Sequence, residues 1–117
     1  MVLKKLLEKF TMSAQDEDRA RLLAALADLD VVSMDNLSLR IPQSVAGEIE
    51  SVRVVPRASA DAVEATLTDG RGRVTAVFLG RRRIPGISPG RRVVIEGVPS
   101  QSGRRTLVYN PKYRLLS

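Results

Sequence analysis

Residues 65–80 read ATLTDGRGRVTAVFLG, and this stretch predicts a β-hairpin. Apolar and polar residues alternate on both sides of the DGRG segment at 69–72. An Asp-Gly pair between two alternating runs is typical of a tight turn that joins antiparallel strands. We therefore predict strands at 62–68 and 73–79, with Asp69 as a turn residue.

The same pattern of short strands and turns extends outward from the hairpin. Three further strands are predicted, at 45–55, 91–98 and 104–109. Glycines inside the first and fourth strands, Gly47 and Gly97, are typical of sharp bends where a sheet closes on itself. We therefore predict an all-β unit of five strands closed into a barrel over residues 44–117, ending in a short apolar tail.

The first 43 residues follow a different pattern. Leucines recur at helical spacing between 22 and 29, which predicts one amphipathic helix over residues 14–30, with Ser13 as its N-cap. The apolar stripe of this helix is expected to pack on the rest of the domain, and self-association through residues 14–30 is the alternative. Residues 1–43 are thus an N-terminal helical extension and linker, and residues 44–117 are the β domain.

Composition excludes several classes of site. The chain of 117 residues has no cysteine and no histidine, which removes disulfides, thiolate zinc sites and a Ser-His-Asp hydrolase. The acids Asp61, Glu64 and Asp69 show no spacing of a metal site or an acid–base pair. We expect no enzyme activity, no metal and no cofactor. No apolar run reaches membrane-spanning length and no secretory leader pattern is present, so we expect a cytoplasmic protein without a membrane partner.

Charge is distributed unevenly along the chain. Residues 1–70 hold eight Lys/Arg and twelve Asp/Glu, a net −4, whereas residues 71–117 hold eleven Lys/Arg and one acid, a net +10. Such a split indicates a basic surface that faces a polyanion, and the planar guanidinium suits paired contacts with phosphate oxygens. The candidate nucleic-acid-binding residues are Arg57, Arg71, Arg73, Arg81, Arg82, Arg83, Arg91, Arg104, Arg105, Tyr109 and Lys112.

The alternative is that these arginines bind no nucleic acid and interact only with solvent or within the chain. They would then be solvated, or would pair with the acids of the predicted helix and mask the basic surface. Those acids are Asp16, Glu17, Asp18, Asp28 and Asp30.

Several segments resemble the OB-fold family. VAGEIESV at 45–52 and ISPGRRVVIEG at 87–97 are similar to the family's first strand and to its entry into strand four, and the hairpin at 65–80 is similar to its strands two and three. YNPKYRLL at 109–116 resembles the closing segment of the OB wedge domain in RecG-type DNA helicases. The chain is similar also to small stand-alone bacterial OB-fold proteins that carry an N-terminal helix.

The resemblance covers residues 44–117 and implies a five-stranded Greek-key OB barrel preceded by one helix. It further implies a non-catalytic protein that binds single-stranded or branched DNA in repair or recombination, through strands two and three and the loops beside them. Aromatic residues are only 3% of the chain, which favours a sequence-tolerant grip on the backbone over base stacking. Two alternatives stay open: an RNA-binding OB protein, and a protein-interaction or assembly module that uses the N-terminal helix.

Overall fold

The computed structural model describes the backbone of residues 2–117 and the side chains of residues 14–117. This part of the chain forms one helix, one 3-10 turn (Met34–Asn36) and one sheet of seven strands. The helix and strands are α1 Val2–Leu26, β1 Gln43–Val55, β2 Ala62–Thr68, β3 Arg73–Leu79, β4 Arg92–Gly97, β5 Pro99–Ser102, β6 Arg105–Tyr109 and β7 Lys112–Leu115. The predicted hairpin at 62–68 and 73–79 is confirmed. Its two strands pair antiparallel, with Thr68 opposite Arg73 at the turn and Ala62 opposite Leu79 at the far end.

The predicted bounds of the helix were wrong at both ends. α1 is continuous from Val2, so Ser13 lies inside it and is not an N-cap. A single serine inside a helix lowers its stability only slightly when its neighbours are good helix formers. An N-cap residue has a non-helical backbone, which an interior residue does not have. The helix ends at Leu26, where the N–H of Leu29 donates to the carbonyl of Leu26 in a tighter turn. No helix of the described residues is long and apolar enough to cross a membrane.

The sheet also differs from the predicted closed barrel of five strands. Its order is β5-β6-β3-β2-β1-β4-β7, which is linear and does not close into a ring of pairings. The predicted fourth strand at 91–98 corresponds to β4, and an unpredicted strand, β5, follows it directly after Val98 and pairs near the opposite end of this order. Gly97 allows the bend, because a Cβ there would lie 2.5 Å from Cγ1 of Val108.

The predicted apolar tail forms a strand of its own. Residues 112–115 pair antiparallel with β4, and Tyr113 lies opposite Ile95. The Asn110-Pro111 break that ends β6 therefore turns the chain back onto the sheet instead of releasing it. Two short strands, β5 and β7, account for the difference between five strands and seven.

The curled sheet encloses one main core. Alternate residues of β2 and β3 point inward, and Phe78 is only 6% exposed, which confirms the predicted inward position of its ring. The 3-10 turn contributes Met34, and the connection between β3 and β4 contributes two buried isoleucines. The side chains of this core are Met34, Val45, Ile49, Val63, Ala65, Leu67, Val74, Ala76, Phe78, Ile84, Ile87, Val93, Ile95 and Val108.

The C-terminal half of α1 packs on the outer side of β1 and β4. Leu22 and Leu26 are buried against Ala46, and Val94 lies at the edge of this cluster. The Nε of Arg19 donates to the carbonyl of Gly70 at 2.6 Å, which fixes the helix to the β2–β3 turn. The prediction that the leucine stripe packs within the domain is confirmed, whereas self-association through residues 14–30 stays a prediction.

Asp69 joins the β2–β3 turn to the 3-10 turn. It is 7% exposed, and its Oδ2 accepts the backbone N–H of Met34 at 2.8 Å. Its Oδ1 accepts the N–H groups of Arg71 and Gly72 at 2.8 and 3.0 Å. These three hydrogen bonds confirm Asp69 as a turn residue and show that it holds two segments together.

We expect Asp69→Ala to lower the free energy of unfolding by about 1–3 kcal/mol, because it leaves three N–H donors, among them the buried one of Met34, without an acceptor. Urea denaturation measures the loss. Asp35→Ala is the matched control, since Asp35 is exposed and accepts a side-chain hydrogen bond from Ser33. The control should change the unfolding free energy by less than about 0.5 kcal/mol. Equal losses in the two variants would contradict this role of Asp69.

Candidate nucleic-acid interface

One face of the sheet lies away from the helix, and we call it the open face. It is formed by the outward side chains of β2, β3, β6 and the second half of β1, whose sequence neighbours point into the core. The pairing places them in two rows across the strands. The first row is Arg53, Glu64, Val77 and Tyr109, and the second is Ser51, Thr66, Thr75 and Leu107.

Three arginines surround one carboxylate on the open face. The side chain of Glu64 is only 6% exposed, and its oxygens lie 3.3 Å from Nη2 of Arg53 and 4.0 Å from Nη2 of Arg57. Arg105 donates a third contact to the same carboxylate. Burial alone would raise the pKa of Glu64, but the hydrogen bonds and charges of Arg105 and Arg53 outweigh burial and hold that pKa below its usual value. The cluster therefore carries three positive charges and one negative charge.

The lowered pKa of Glu64 predicts a stability change in acid. The ionised carboxylate stabilises the folded state above the unfolded value of 4.5, and this contribution is lost as the pH falls through the lower folded value. We expect Glu64→Gln to have a lower melting temperature than the wild type near neutral pH. The difference should shrink steadily below about pH 4.5. A difference that stays constant in a thermal melting series from pH 7 to pH 3 would contradict the ionised cluster.

A small group of buried apolar side chains and the exposed ring of Tyr109 lie beside the cluster. Ala62, Val77 and Leu107 form a separate buried group. Tyr109 lies opposite Val77 and is 43% exposed. Tyr113 is half-buried against the core, its ring meets Phe78 edge-on, and its hydroxyl donates to the backbone carbonyl of Pro85. Within residues 14–117, Tyr109 is the one exposed aromatic residue, since Phe78 is buried and Tyr113 is half-buried.

The run of arginines at 81–83 lies at one end of the open face. The N–H of Gly80 donates to the carbonyl of Asp61 at 2.8 Å, which brings the end of β3 to the β1–β2 loop. Arg82 pairs with the Asp61 carboxylate at 3.2 Å. Among the described residues, Arg81 and Arg83 form no ion pair, and all three side chains are exposed.

The other predicted residues lie elsewhere on the surface. Arg71 and Arg73 line a groove of about 740 Å³ between α1 and the β2–β3 turn. Arg73 pairs there with Glu50 at 2.9 Å, and this hydrogen bond raises the pKa of Arg73. Three further predicted residues are exposed at separate places: Arg104 on the β5–β6 turn, Arg91 before β4, and Lys112 on β7.

The structure does not pair the predicted arginines with the acids of α1. Within residues 14–117, their carboxylate partners are Glu50 on β1, Asp61 just before β2 and Glu64 on β2. The one ion pair of the helix acids in this region is internal, from Asp18 to Arg21 at 3.9 Å. Exposed ion pairs such as that of Arg82 with Asp61 stabilise a fold by only about 0–1 kcal/mol. A phosphate can therefore displace the Asp61 carboxylate from Arg82.

Reasoning from the sequence missed two residues of the cluster, Arg53 and Glu64. Arg53 lies inside a strand and Glu64 is an acid, so neither belongs to the basic loops that the charge pattern emphasised. The signal that finds them is strand register. Both residues lie equally far from the centre of the 56–61 loop, and antiparallel strands place such residues opposite each other.

Comparison with known proteins gives a likeness at the level of the fold. No family model matches the chain, and no curated protein matches it. Among solved structures, 25 chains match. One is a chain from a replication protein A heterotrimer bound to single-stranded DNA, with a TM-score of 0.50 and 13% identity. The match covers 65% of this chain and 57% of that chain, so this chain spans little more than half its length. At this identity the likeness shows the fold alone, and it agrees with the OB-like arrangement of the strands.

Proposed function

We propose that this chain is a non-catalytic protein that binds single-stranded or branched DNA across the open face. The observation that carries the proposal is the cluster of Arg53, Arg57 and Arg105 around Glu64, beside the exposed ring of Tyr109. The side chains of the three arginines are 37–66% exposed, so each has guanidinium surface available to a ligand. The likeness to a chain of an assembly bound to single-stranded DNA supports the same class of ligand.

Glu64 holds the guanidinium groups in position before a ligand arrives. A guanidinium has five N–H donors, and a carboxylate that occupies one or two of them leaves the others for phosphate oxygens. Because the side chains are already ordered, binding loses less conformational entropy than it would with unrestrained arginines. Tyr109 offers a ring on which one base can stack, and such a contact tolerates any base.

The basic surface continues past one end of the face through Arg81, Arg82 and Arg83. A strand that crosses the face and reaches this run can contact five or six arginines, counting Arg53, Arg57 and Arg105 of the cluster. The resemblance of residues 109–116 to a RecG-type wedge domain favours DNA over RNA, and a role in bacterial repair or recombination in the cytoplasm.

Fluorescence anisotropy tests the proposal with four labelled ligands: single-stranded DNA, single-stranded RNA, duplex DNA and a three-way fork. We expect micromolar or tighter binding of single-stranded or forked DNA at low salt. Five or six phosphate contacts predict a slope of roughly −3.5 to −4 in a plot of log affinity against log salt. An absence of binding to all four ligands at low salt would refute the proposed function.

A further inference from the structure

A pocket of about 250 Å³ opens at the end of the sheet where the arginine run begins. Its lining includes the ring of Tyr113, which is half-buried, and behind it the buried side chains of Phe78, Ile84 and Pro111. The rings of Phe78 and Tyr113 stand edge to face, with centroids 5.9 Å apart. The hydrogen bond from the Tyr113 hydroxyl to the carbonyl of Pro85 fixes the second ring at 2.9 Å, so the pocket has rigid walls.

The rim of this pocket carries hydrogen-bond donors. Arg81 lies on the rim, is exposed and forms no ion pair with the described residues. Asn110 lies beside it, and its Oδ1 accepts the N–H of Leu79 at 2.9 Å, which leaves the amide NH₂ as its available group. The lining contains no acid. One aromatic surface with donors at its edge suits a planar ring that carries acceptors.

The pocket continues the open face. Asn110 directly follows Tyr109, and Leu79, which is 42% exposed, belongs to both the rim and the end of β3. A strand that passes over Tyr109 toward Arg81, Arg82 and Arg83 therefore crosses the mouth of the pocket. The phosphates would lie toward the arginines, and a base would lie over the opening.

We propose that this pocket holds one unpaired base of the bound strand, with its ring against Tyr113 and its acceptor edge toward Arg81 and Asn110. The inference rests on the proposed function and deepens it. A base in a duplex is engaged with its partner and cannot enter, so the pocket selects single-stranded segments. The pocket also adds a base contact to an interface that otherwise contacts mainly phosphates.

The test compares two oligothymidylates with the same number of phosphates, one intact and one in which abasic sites replace the nucleotides. Stacking of one base contributes about 1–3 kcal/mol, so each occupied site should make the intact strand bind roughly 5–150-fold more tightly. Because Tyr109 also offers a stacking surface, the comparison is made in the Tyr109→Ala variant. We expect the intact strand to keep an advantage of at least about fivefold there.

Arg81→Gln and Arg83→Gln form a matched pair, because both remove one charge from the same run and only Arg81 lines the pocket. In the Tyr109→Ala background, Arg81→Gln should reduce the advantage of the intact strand, whereas Arg83→Gln should weaken both strands equally. Equal affinities of the two strands in Tyr109→Ala would overturn the base pocket and leave the phosphate-binding function standing. Failure of both strands to bind the wild type would overturn the proposed function as well.

Discussion

Reversing two charges at the end of the open face, with Arg81→Glu and Arg83→Glu together, should weaken binding to single-stranded DNA on the order of 100-fold at low salt. Hydrogen bonds to charged groups contribute about 1.5–3 kcal/mol, and 1.4 kcal/mol is a factor of ten. Both side chains are exposed and form no ion pair with the described residues, so the fold should be unchanged. The loss should be similar for all sequences, because phosphates are the same in every strand and every base offers acceptors to Arg81. Fluorescence anisotropy over a salt series measures it, and the log–log slope should become shallower by about 1.4.

The control for this double variant has the same change in net charge at a distant place. Arg21→Glu and Arg114→Glu lie on α1 and β7, and both side chains are exposed. We expect this control to lose much less affinity. Wild-type affinity in the first variant would refute the assignment of Arg81 and Arg83 to the interface. Equal losses in the two double variants would show that net charge alone decides binding.

The largest loss of stability among these predictions is expected for Leu67→Ala. Leu67 points into the core from β2 and is 1% exposed, so truncation removes buried surface and leaves a cavity. Such substitutions cost about 2–5 kcal/mol of unfolding free energy. Leu79→Ala is the matched control on the neighbouring strand, because Leu79 is 42% exposed. Its cost should stay below about 1 kcal/mol in urea denaturation, and similar losses at both positions would contradict the assignment of the two faces.

The central hairpin could be predicted from sequence because its signals are local. Alternation at 62–68 and 73–79 sets the faces of both strands, and the Asp-Gly pair sets the turn between them. Asp69 was recognised as a turn residue for the same reason. Its hydrogen bond to Met34 was not predicted, since that contact joins segments 35 residues apart.

The features that were missed depend on contacts between distant segments. The bend between β4 and the unpredicted strand β5 reflects the close approach of Gly97 to Val108. Strand β7 forms because β4 offers an edge to residues 112–115, and no local pattern in a short apolar tail shows that edge. The helix continues through Ser13 because one serine does not interrupt it. The prediction of an N-cap at Ser13 is therefore wrong, since the residues before it are also helical.

The candidate site divides in the same way. The charge pattern alone identified Arg57, Arg105 and the run at 81–83, which the structure places on or beside one face. It could not separate them from Arg73, whose partner Glu50 lies in the groove beside the helix. Which arginines share a surface depends on strand register and on where the helix packs, and neither is encoded in composition.

Backbone-amide chemical shifts measured during titration with a short oligothymidylate test most directly whether the open face carries the ligand. The largest changes should fall at Arg53, Arg57, Arg105 and Tyr109 and in the 80–83 segment, while residues 14–26 of α1 change little. Largest changes along α1 and its groove, with the open face unaffected, would contradict the proposed interface.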